Sequence, residues 1–237
     1  MKGACIAVLA GMLLCRAGFA GEQGNFYSDG PKEKKAIALT FDDGPGPYTG
    51  RVLAILKSHN IKATFFMEGD EVEFRQKIVK DVQADGHEIG SHLYSHPNFY
   101  AYEKKHADFR EKMIQEADRT EKLIGKATGD RPHLLRMPNG FAKRWARDIA
   151  REKGYVMINW TFGCDWTKGS GRQFAESYVK HIGPGAIFLM HDGGKDRSRT
   201  IEALTAVIAE AEKQGYRMVT VSELLNLKSA NEAGNKK

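Results

Sequence analysis

The chain has 237 residues, of which 41% are hydrophobic and 28% are charged, so it is long enough to bury one α/β core and shows no bias toward disorder. Its formal net charge of +6 is mild, and no run of lysines and arginines is interleaved with aromatic residues, which argues against a nucleic-acid partner.

Residues 1–20 have the pattern of a secretory signal peptide. Lys2 is followed by an apolar run over residues 4–15, and small residues precede a cleavage position before Gly21. The alternative is an N-terminal membrane anchor, but the run is shorter than the ~20 apolar residues that a span needs, and Arg16 ends it. We therefore expect an exported protein, periplasmic or secreted, without a stable membrane span.

The remainder of the chain alternates between apolar strand patterns and amphipathic helix patterns. The predicted strands cover residues 36–41, 63–69, 87–92, 133–138, 155–160 and 185–191, and residues 216–225 close the pattern. The predicted helices cover residues 48–60, 71–86, 106–129, 142–153, 171–181 and 199–214. This alternation runs without a linker or a repeat. It predicts an α/β fold with a parallel sheet, helices outside and a barrel-like closure.

Two adjacent carboxylates and two spaced histidines follow predicted strands. Asp42 and Asp43 end the first strand in "TFDDGPGP", and His92 and His96 follow the third in "SHLYSHP". Taken alone, Asp-Asp-Gly is typical of a turn and His-x-x-x-His of two surface histidines. Loops after parallel strands meet at one end of a barrel, however, and two histidines with a carboxylate are a common zinc set. The sequence therefore favours a divalent metal bound by Asp43, with Asp42 beside it as a base.

Three later strand ends carry further ionisable residues. Arg136 lies in "LLRMPNG", Asp165 and Trp166 lie in "CDWTKG", and His191 lies in "LMHDG". Each has an ordinary structural alternative, such as a surface arginine, a capping aspartate or a structural histidine. Together they supply a protonatable imidazole, a carboxylate that orients it and an arginine that holds the carboxylate.

The motifs "TFDDG", "HLYSHP", "RMPNG", "DW" and "LMH" resemble, in order and rough spacing, those of the NodB-homology polysaccharide deacetylases, carbohydrate esterase family four. The resemblance covers residues 35–226, which we take as the catalytic domain. Residues 21–34 then form a polar N-terminal lead-in and residues 227–237 a polar C-terminal tail. The resemblance implies a deformed (β/α) barrel of about seven parallel strands. It also implies a metal-dependent hydrolase that removes N-acetyl groups from N-acetylglucosamine residues.

The resemblance further implies a role for each matched residue. The implied catalytic residues are Asp42 as general base, His191 as general acid, Asp165 beside His191, and Arg136 holding Asp165. The implied metal ligands are Asp43, His92 and His96, and the implied cofactor is Zn²⁺, with Co²⁺ as another usable ion. The candidate substrate-binding residues are Pro138, Asn139, Trp166 and Leu189 in the motifs and Tyr100 in a polar segment.

Three positions depart from the family pattern. Leu93 replaces the usual Ser or Thr after the first metal histidine, so we expect the metal loop to be held differently. Asn139 replaces the usual aromatic residue of the arginine motif, and Phe162 replaces an acid that often lies three residues before Asp165. We therefore expect an active enzyme with an altered substrate groove.

The predicted export favours peptidoglycan as the polymer, and we expect a monomer. Deacetylation of chitin or a chitooligosaccharide and hydrolysis of acetylxylan are alternatives that use the same residues. A carbohydrate-binding pseudoenzyme is an alternative of another class, and the intact metal and base positions argue against it.

Overall fold

A computed structural model describes residues 25–227 of the chain. The predicted signal peptide, the first residues of the lead-in and residues 228–237 of the tail lie outside the described residues. Within residues 25–227, no helix combines the length and the apolar character that crossing a membrane requires.

One curled sheet contains every strand of the described part of the chain. The strands are β1 (Phe26–Tyr27), β2 (Ala36–Gly44), β3 (Thr64–Met67), β4 (Glu88–Ser91), β5 (Leu134–Leu135), β6 (Val156–Ile158), β7 (Ile187–His191) and β8 (Arg217–Val219). Their order is β1-β6-β5-β4-β3-β2-β7, and β8 pairs with the first residues of β2. All the pairings are parallel, so the carboxyl ends of the strands meet at one end of the sheet. The predicted parallel α/β fold is confirmed.

The helices connect the strands and cover the outside of the sheet. They are α1 (Thr49–Ser58), α2 (Gly69–Phe74), α3 (Gln76–Ala84), α4 (Phe99–Tyr102), α5 (Phe109–Thr128), α6 (Arg144–Glu152), α7 (Gly171–Lys180), α8 (Ser198–Lys213) and α9 (Val221–Leu225). The largest apolar cluster includes buried residues of β2, β3 and β7 with apolar faces of α1, α3 and α8. The hydrophobic core therefore lies between the sheet and the helices that cover it.

Three local elements differ from the sequence prediction. The single helix predicted over residues 71–86 is two helices, because the backbone of Arg75 (φ −123°, ψ 38°) leaves the helical region between α2 and α3. The short helix α4 occupies the segment treated as a polar loop, and Asn98 caps its first turn. Within the polar lead-in, Phe26 pairs with Met157 of β6. Elements of two to four residues carry too little periodicity to be predicted from sequence.

Strand β2 lies at the centre of the barrel and is buried at every residue except Asp43. A strand covered on both faces has a near-continuous apolar sequence, as "AIALTF" does. β7 pairs along one edge of β2, and β8 and then β3 pair along the other. The central position of β2 brings its terminal aspartates to the middle of one end of the barrel.

The sheet is joined back on itself beyond β6. Phe162 forms an isolated parallel bridge with Phe188 of β7. Tyr178 of α7 secures this junction, because its hydroxyl accepts a hydrogen bond from the Cys164 N–H at 3.2 Å and donates to the Leu189 carbonyl at 2.5 Å. The barrel is deformed because the isolated bridge between Phe162 and Phe188, and not a full pair of strands, closes it between β6 and β7.

Candidate active site and metal centre

A β-bulge at the end of β2 sets the direction of the two neighbouring carboxylates. The pairing of β2 with β3 shifts between Asp42 and Gly44, and Asp43 has a left-handed backbone with φ 65°. On a regular strand consecutive side chains point to opposite faces, whereas a bulge re-aims one of them. Both carboxylates therefore line one cavity at the carboxyl end of the barrel.

Two glycines allow the loops after β2 and β7 to touch beneath this cavity. A Cβ atom on Gly44 would lie 2.5 Å from Oδ1 of Asp192. A Cβ atom on Gly193 would lie 1.7 Å from the carbonyl oxygen of Asp43. Any larger residue at either position would force the loops apart and displace the aspartates.

Asp43, His92 and His96 each bring one ligand atom to within 4.8 Å of the others. The Nε2 atoms of His92 and His96 lie 3.5 Å and 3.7 Å from Oδ1 of Asp43. That Oδ1 atom is buried and has no hydrogen-bond partner among the described residues. A buried carboxylate oxygen without a partner is costly unless a cation meets it. The donor set therefore fits a divalent cation of the zinc type.

The backbone fixes the orientation of His92. Its Nδ1 atom lies 2.8 Å from the carbonyl oxygen of Arg136, and since a carbonyl only accepts, Nδ1 carries the proton. The lone pair is then on Nε2, which faces Asp43. Histidines that bind metals commonly donate their other ring N–H in this way.

A buried glutamate holds the loop between the two histidines. Glu116 of α5 accepts hydrogen bonds from the N–H groups of Tyr94 (2.9 Å) and Ser95 (2.7 Å) and from the Ser95 hydroxyl (2.9 Å). Although burial opposes it, hydrogen bonds from Lys112 and Ser95 hold the pKa of Glu116 below its usual value. Leu93, at the position where the family that the sequence resembles usually has Ser or Thr, is instead fully buried in an apolar cluster. The loop is thus braced from a neighbouring helix.

Arg136 pairs with Asp42 and not with Asp165, which corrects the sequence prediction. Its Nη1 atom lies 2.7 Å from Oδ1 of Asp42 and donates to the Thr40 hydroxyl at 2.7 Å. The remaining guanidinium donors bind the backbone carbonyls of Ile158, at the end of β6, and of Asn159. The physical reason is that Arg136 is fully buried inside the barrel, where Asp42 is the carboxylate within reach. Asp165 is turned toward another loop.

His191 and Asp165 form a hydrogen-bonded pair. Nδ1 of His191 donates to Oδ1 of Asp165 at 2.7 Å, while Oδ2 accepts from the His191 N–H at 2.9 Å and from the Thr200 hydroxyl at 2.7 Å. Burial lowers the pKa of His191, but the hydrogen bond and the charge of Asp165 outweigh it and raise this pKa above its usual value. Nε2 of His191 lies 3.9 Å from Oδ2 of Asp43. The imidazole can therefore hold a proton beside the candidate metal ligands.

The cavity that contains these groups has a volume of about 570 Å³. Of the predicted substrate-binding residues, Asn139, Trp166 and Leu189 line it. The other two, Pro138 and Tyr100, are not among its lining residues, and their role in binding substrate stays a prediction. Pro138 is buried, and the ring of Tyr100 packs edge-on against Phe141 with centroids 4.8 Å apart.

Comparison with known proteins decides the family. Residues 29–158 match the polysaccharide deacetylase family. A peptidoglycan-N-acetylglucosamine deacetylase of Bacillus cereus is 39% identical over 202 residues, which cover 84% of this chain and 92% of that protein. The chain belongs to the polysaccharide deacetylase family. A second relative, a peptidoglycan-N-acetylmuramic acid deacetylase of Bacillus subtilis, is 33% identical over 206 residues, covering 84% of this chain and 74% of that protein.

Solved structures confirm the deacetylase fold. A peptidoglycan N-acetylglucosamine deacetylase superposes with a TM-score of 0.80 at 30% identity, covering 86% of this chain and 94% of that one. A CE4 family pseudoenzyme from Bacillus anthracis superposes with a TM-score of 0.76 at 30% identity, covering 86% and 70% of the two chains. Because the same fold includes a pseudoenzyme, the fold alone does not imply turnover, which depends on the site residues.

Among the residues of this site that the sequence analysis missed, two contact the loop or the carboxylate of the candidate metal set. One is Glu116, and the other is Arg197, which is 8% exposed and lies immediately before α8. Nη2 of Arg197 lies 3.3 Å from Oδ2 of Asp43, and its Nε atom donates to the Gly193 carbonyl at 2.7 Å. The short distance of Arg197 from the "LMHDG" motif is the one sequence signal that could have pointed to it.

Proposed function

We propose that this protein is a zinc-dependent hydrolase that removes N-acetyl groups from N-acetylglucosamine residues of peptidoglycan. Its family supports deacetylation of a cell-wall polysaccharide, and the two relatives described above are named for peptidoglycan. The observation that carries the proposal is the buried, unpartnered Oδ1 atom of Asp43 between two imidazoles. Zinc bound by this set would lower the pKa of a water molecule to about 7 and polarise the acetyl carbonyl.

Asp42 is placed to accept the proton that the attacking water loses. Its Oδ1 atom is held by Arg136 at 2.7 Å, while Oδ2 lies 3.7 Å from Nε2 of His92. One oxygen is therefore fixed and the other is left beside the metal ligands. A base held in this way keeps its position without spending entropy at each turnover.

His191 is placed to complete the reaction on the leaving group. Cleavage of the amide C–N bond yields acetate and an amine, and the amine nitrogen must gain a proton. The raised pKa of His191 keeps a proton available, and Asp165 fixes the ring through Nδ1 so that Nε2 is the donor. The proton removed from water and the proton given to the amine thus pass through different side chains.

The cavity walls suit a sugar ring. Trp160 and Trp166 meet edge to face with centroids 6.3 Å apart, and Trp166 is half exposed. Aromatic faces bind the apolar faces of sugars, and the amide of Asn139 can bond a sugar hydroxyl. Chitin oligomers and acetylxylan present similar sugar rings, so an assay on each polymer is the test that identifies the substrate.

The test is acetate release by the purified chain from peptidoglycan, chitin pentamer and acetylxylan. We expect release from peptidoglycan that stops when the metal is chelated and returns when zinc is added. Asp42→Asn should keep zinc but lose turnover by about 100-fold or more, whereas His92→Ala should lose zinc itself.

Three outcomes would contradict the proposal. Acetate release from chitin or acetylxylan but not from peptidoglycan would show that peptidoglycan is not the substrate. Near-normal turnover of Asp42→Asn would remove Asp42 as the base. Sugar binding at full zinc occupancy without acetate would establish a carbohydrate-binding pseudoenzyme.

We also propose that the protein is exported. Lys2, the apolar run over residues 4–15 and the cleavage position before Gly21 support this. Amino-terminal sequencing of the protein recovered from its host should give a chain that begins at Gly21. Recovery of an uncleaved chain from the cytoplasm would contradict export.

A further inference from the structure

The segment that leads into α8 and the first turn of that helix form one wall of the cavity and together carry three cations. Lys195, Arg197 and Arg199 line this wall, and Asp196 is the acid among them. The 16-residue helix α8 begins directly after Arg197, so its amino terminus adds positive potential to the same wall. The wall therefore favours an anion unless its own carboxylates neutralise it.

Two of the three cations have carboxylates close by. Arg197 lies 3.3 Å from Asp43. Arg199 lies close to Asp196, whose pKa is lowered to about 2 by the hydroxyl of Tyr48, the N–H of Ser198 and the charge of Arg199. Asp196 thus already has its partners.

Lys195 is the remaining cation. Its side chain is exposed, and within residues 25–227 it takes part in no hydrogen bond or ion pair. An exposed ammonium costs little to keep hydrated, and it becomes useful when a ligand brings an anion to it. Lys195 lines the same cavity as Asp43 and His191, so a ligand held in that cavity can bring an anion to it.

We propose that Lys195 binds a carboxylate carried by the sugar next to the one that loses its acetyl group. A neutral polymer such as chitin has no such group. In peptidoglycan every second sugar is a muramic acid, whose lactyl arm ends in its own carboxylate or in a peptide that carries one. The inference rests on the proposed function and narrows its substrate to polymers in which an anionic sugar neighbours the N-acetylglucosamine.

The experiment uses three tetrasaccharides of alternating N-acetylglucosamine and N-acetylmuramic acid. One has free lactyl carboxylates, one has them converted to neutral carboxamides, and one carries a short acidic peptide. Both kcat/KM for acetate release and the dissociation constant are measured for the zinc-loaded protein. Wild type should prefer the carboxylate over the carboxamide by about two- to fivefold, as for an exposed ion pair, and salt should reduce this preference.

Substitution of Lys195 should act on this preference. Lys195→Gln should abolish it, Lys195→Glu should reverse it, and Lys195→Arg should retain it. Lys80→Gln is the matched control, because it removes the same charge from an exposed position on α3 outside the cavity lining. That control should keep the wild-type preference.

The outcomes separate this inference from the proposed function. A preference that survives Lys195→Gln, or a wild type without any preference, overturns the role of Lys195. A preference for the peptide-bearing oligomer alone supports it and assigns the carboxylate to the peptide. Absence of acetate from all three oligomers counts against the proposed function, and the dissociation constants then still report on Lys195.

Discussion

Each of the two neighbouring aspartates in the site has a buried arginine of its own. Arg136 lies 2.7 Å from Asp42, and Arg197 lies 3.3 Å from Asp43. Two carboxylates side by side in a low-dielectric site repel each other, and the two guanidinium groups offset that repulsion. Single residues in this protein therefore serve the stability of the site as well as its chemistry.

Arg136→Met should lower the free energy of unfolding by about 3–5 kcal/mol, because the Asp42 charge stays buried without its partner. Urea denaturation followed by circular dichroism measures this loss. Asp42→Asn added to Arg136→Met removes the stranded charge, so the double variant should regain part of the stability. A double variant that is less stable than Arg136→Met would show that Asp42 is not the relevant partner.

Whether Arg197→Met weakens or tightens zinc binding shows which effect of Arg197 dominates, its orientation of Asp43 or its positive charge. If Arg197 orients Asp43, its loss should weaken zinc binding by about 10-fold or more, as losing a group that holds a metal ligand commonly does. If Arg197 acts only through its charge, removing a cation should tighten zinc binding. We expect weaker binding in a competition titration with a chromophoric chelator. Arg199→Met is the control, because it removes the same charge from the first turn of α8. This variant should keep the zinc affinity within a few-fold of wild type.

Asp165→Asn should change the pH dependence of kcat. Burial lowers the pKa of His191, and Asp165 raises it to above its usual value. A raised pKa keeps the imidazole protonated to higher pH, so loss of the Asp165 charge should move the alkaline limb of the profile to lower pH by about 1–3 pH units. Thr200→Val is the control, since it keeps the charge and loses one hydrogen bond. An unmoved alkaline limb would remove His191 as the acid.

At the scale of elements, helix α5 positions the loop of the candidate metal site without adding a residue to the candidate ligand set. Glu116 reaches from α5 to the backbone between His92 and His96, and its carboxylate accepts from Tyr94 and Ser95. The loop has a left-handed residue at Leu93 and another at His96, so its shape depends on such outside support.

Glu116→Ala should therefore weaken zinc binding by about 10-fold, and Glu116→Gln, which retains an acceptor oxygen, should weaken it less. The measurement is the zinc dissociation constant, with the unfolding temperature recorded alongside. Glu111→Ala is the control, because Glu111 is exposed on the first turn of the same helix. Equal zinc affinity in Glu116→Ala and Glu111→Ala would mean that the loop does not need this brace.

Sequence patterns gave the elements and their order more readily than the contacts between them. The buried run of β2 and the long amphipathic pattern of α5 extend over enough residues to be recognised. The contact of Arg197 with Asp43 spans 154 positions and that of Glu116 with Tyr94 spans 22. Neither follows a local period, and the bulge at Asp43 is set by pairing with β3. The resemblance implies Asp165 as the partner of Arg136, whereas the fold brings Asp42 within its reach.

At the scale of the whole molecule, the barrel depends on a narrow junction. The bridge between Phe162 and Phe188 joins the region after β6 to β7, and the same region leads into Asp165. Tyr178 is fully buried beneath it and binds both sides through one hydroxyl. Barrel closure and the position of the His191 partner are thus linked through this junction.

Tyr178→Phe should lower the free energy of unfolding by about 1–3 kcal/mol, because one buried hydroxyl satisfies two backbone groups. Chemical denaturation gives this value directly. Tyr216→Phe is a suitable control, since within the described residues the Tyr216 hydroxyl makes no hydrogen bond. Equal stability of the two variants would mean that closure does not rely on Tyr178.

Most residues with a left-handed backbone that are not glycine belong to the site or its loops: Asp43, Leu93, His96 and Asn139, against Asn60 and Asn226 elsewhere in the described chain. Each such conformation stores about 1–3 kcal/mol of strain. Variants of this protein selected only for heat resistance should therefore gain glycine at these positions first, because glycine adopts a positive φ without strain. Their melting temperature should rise while their catalytic activity falls.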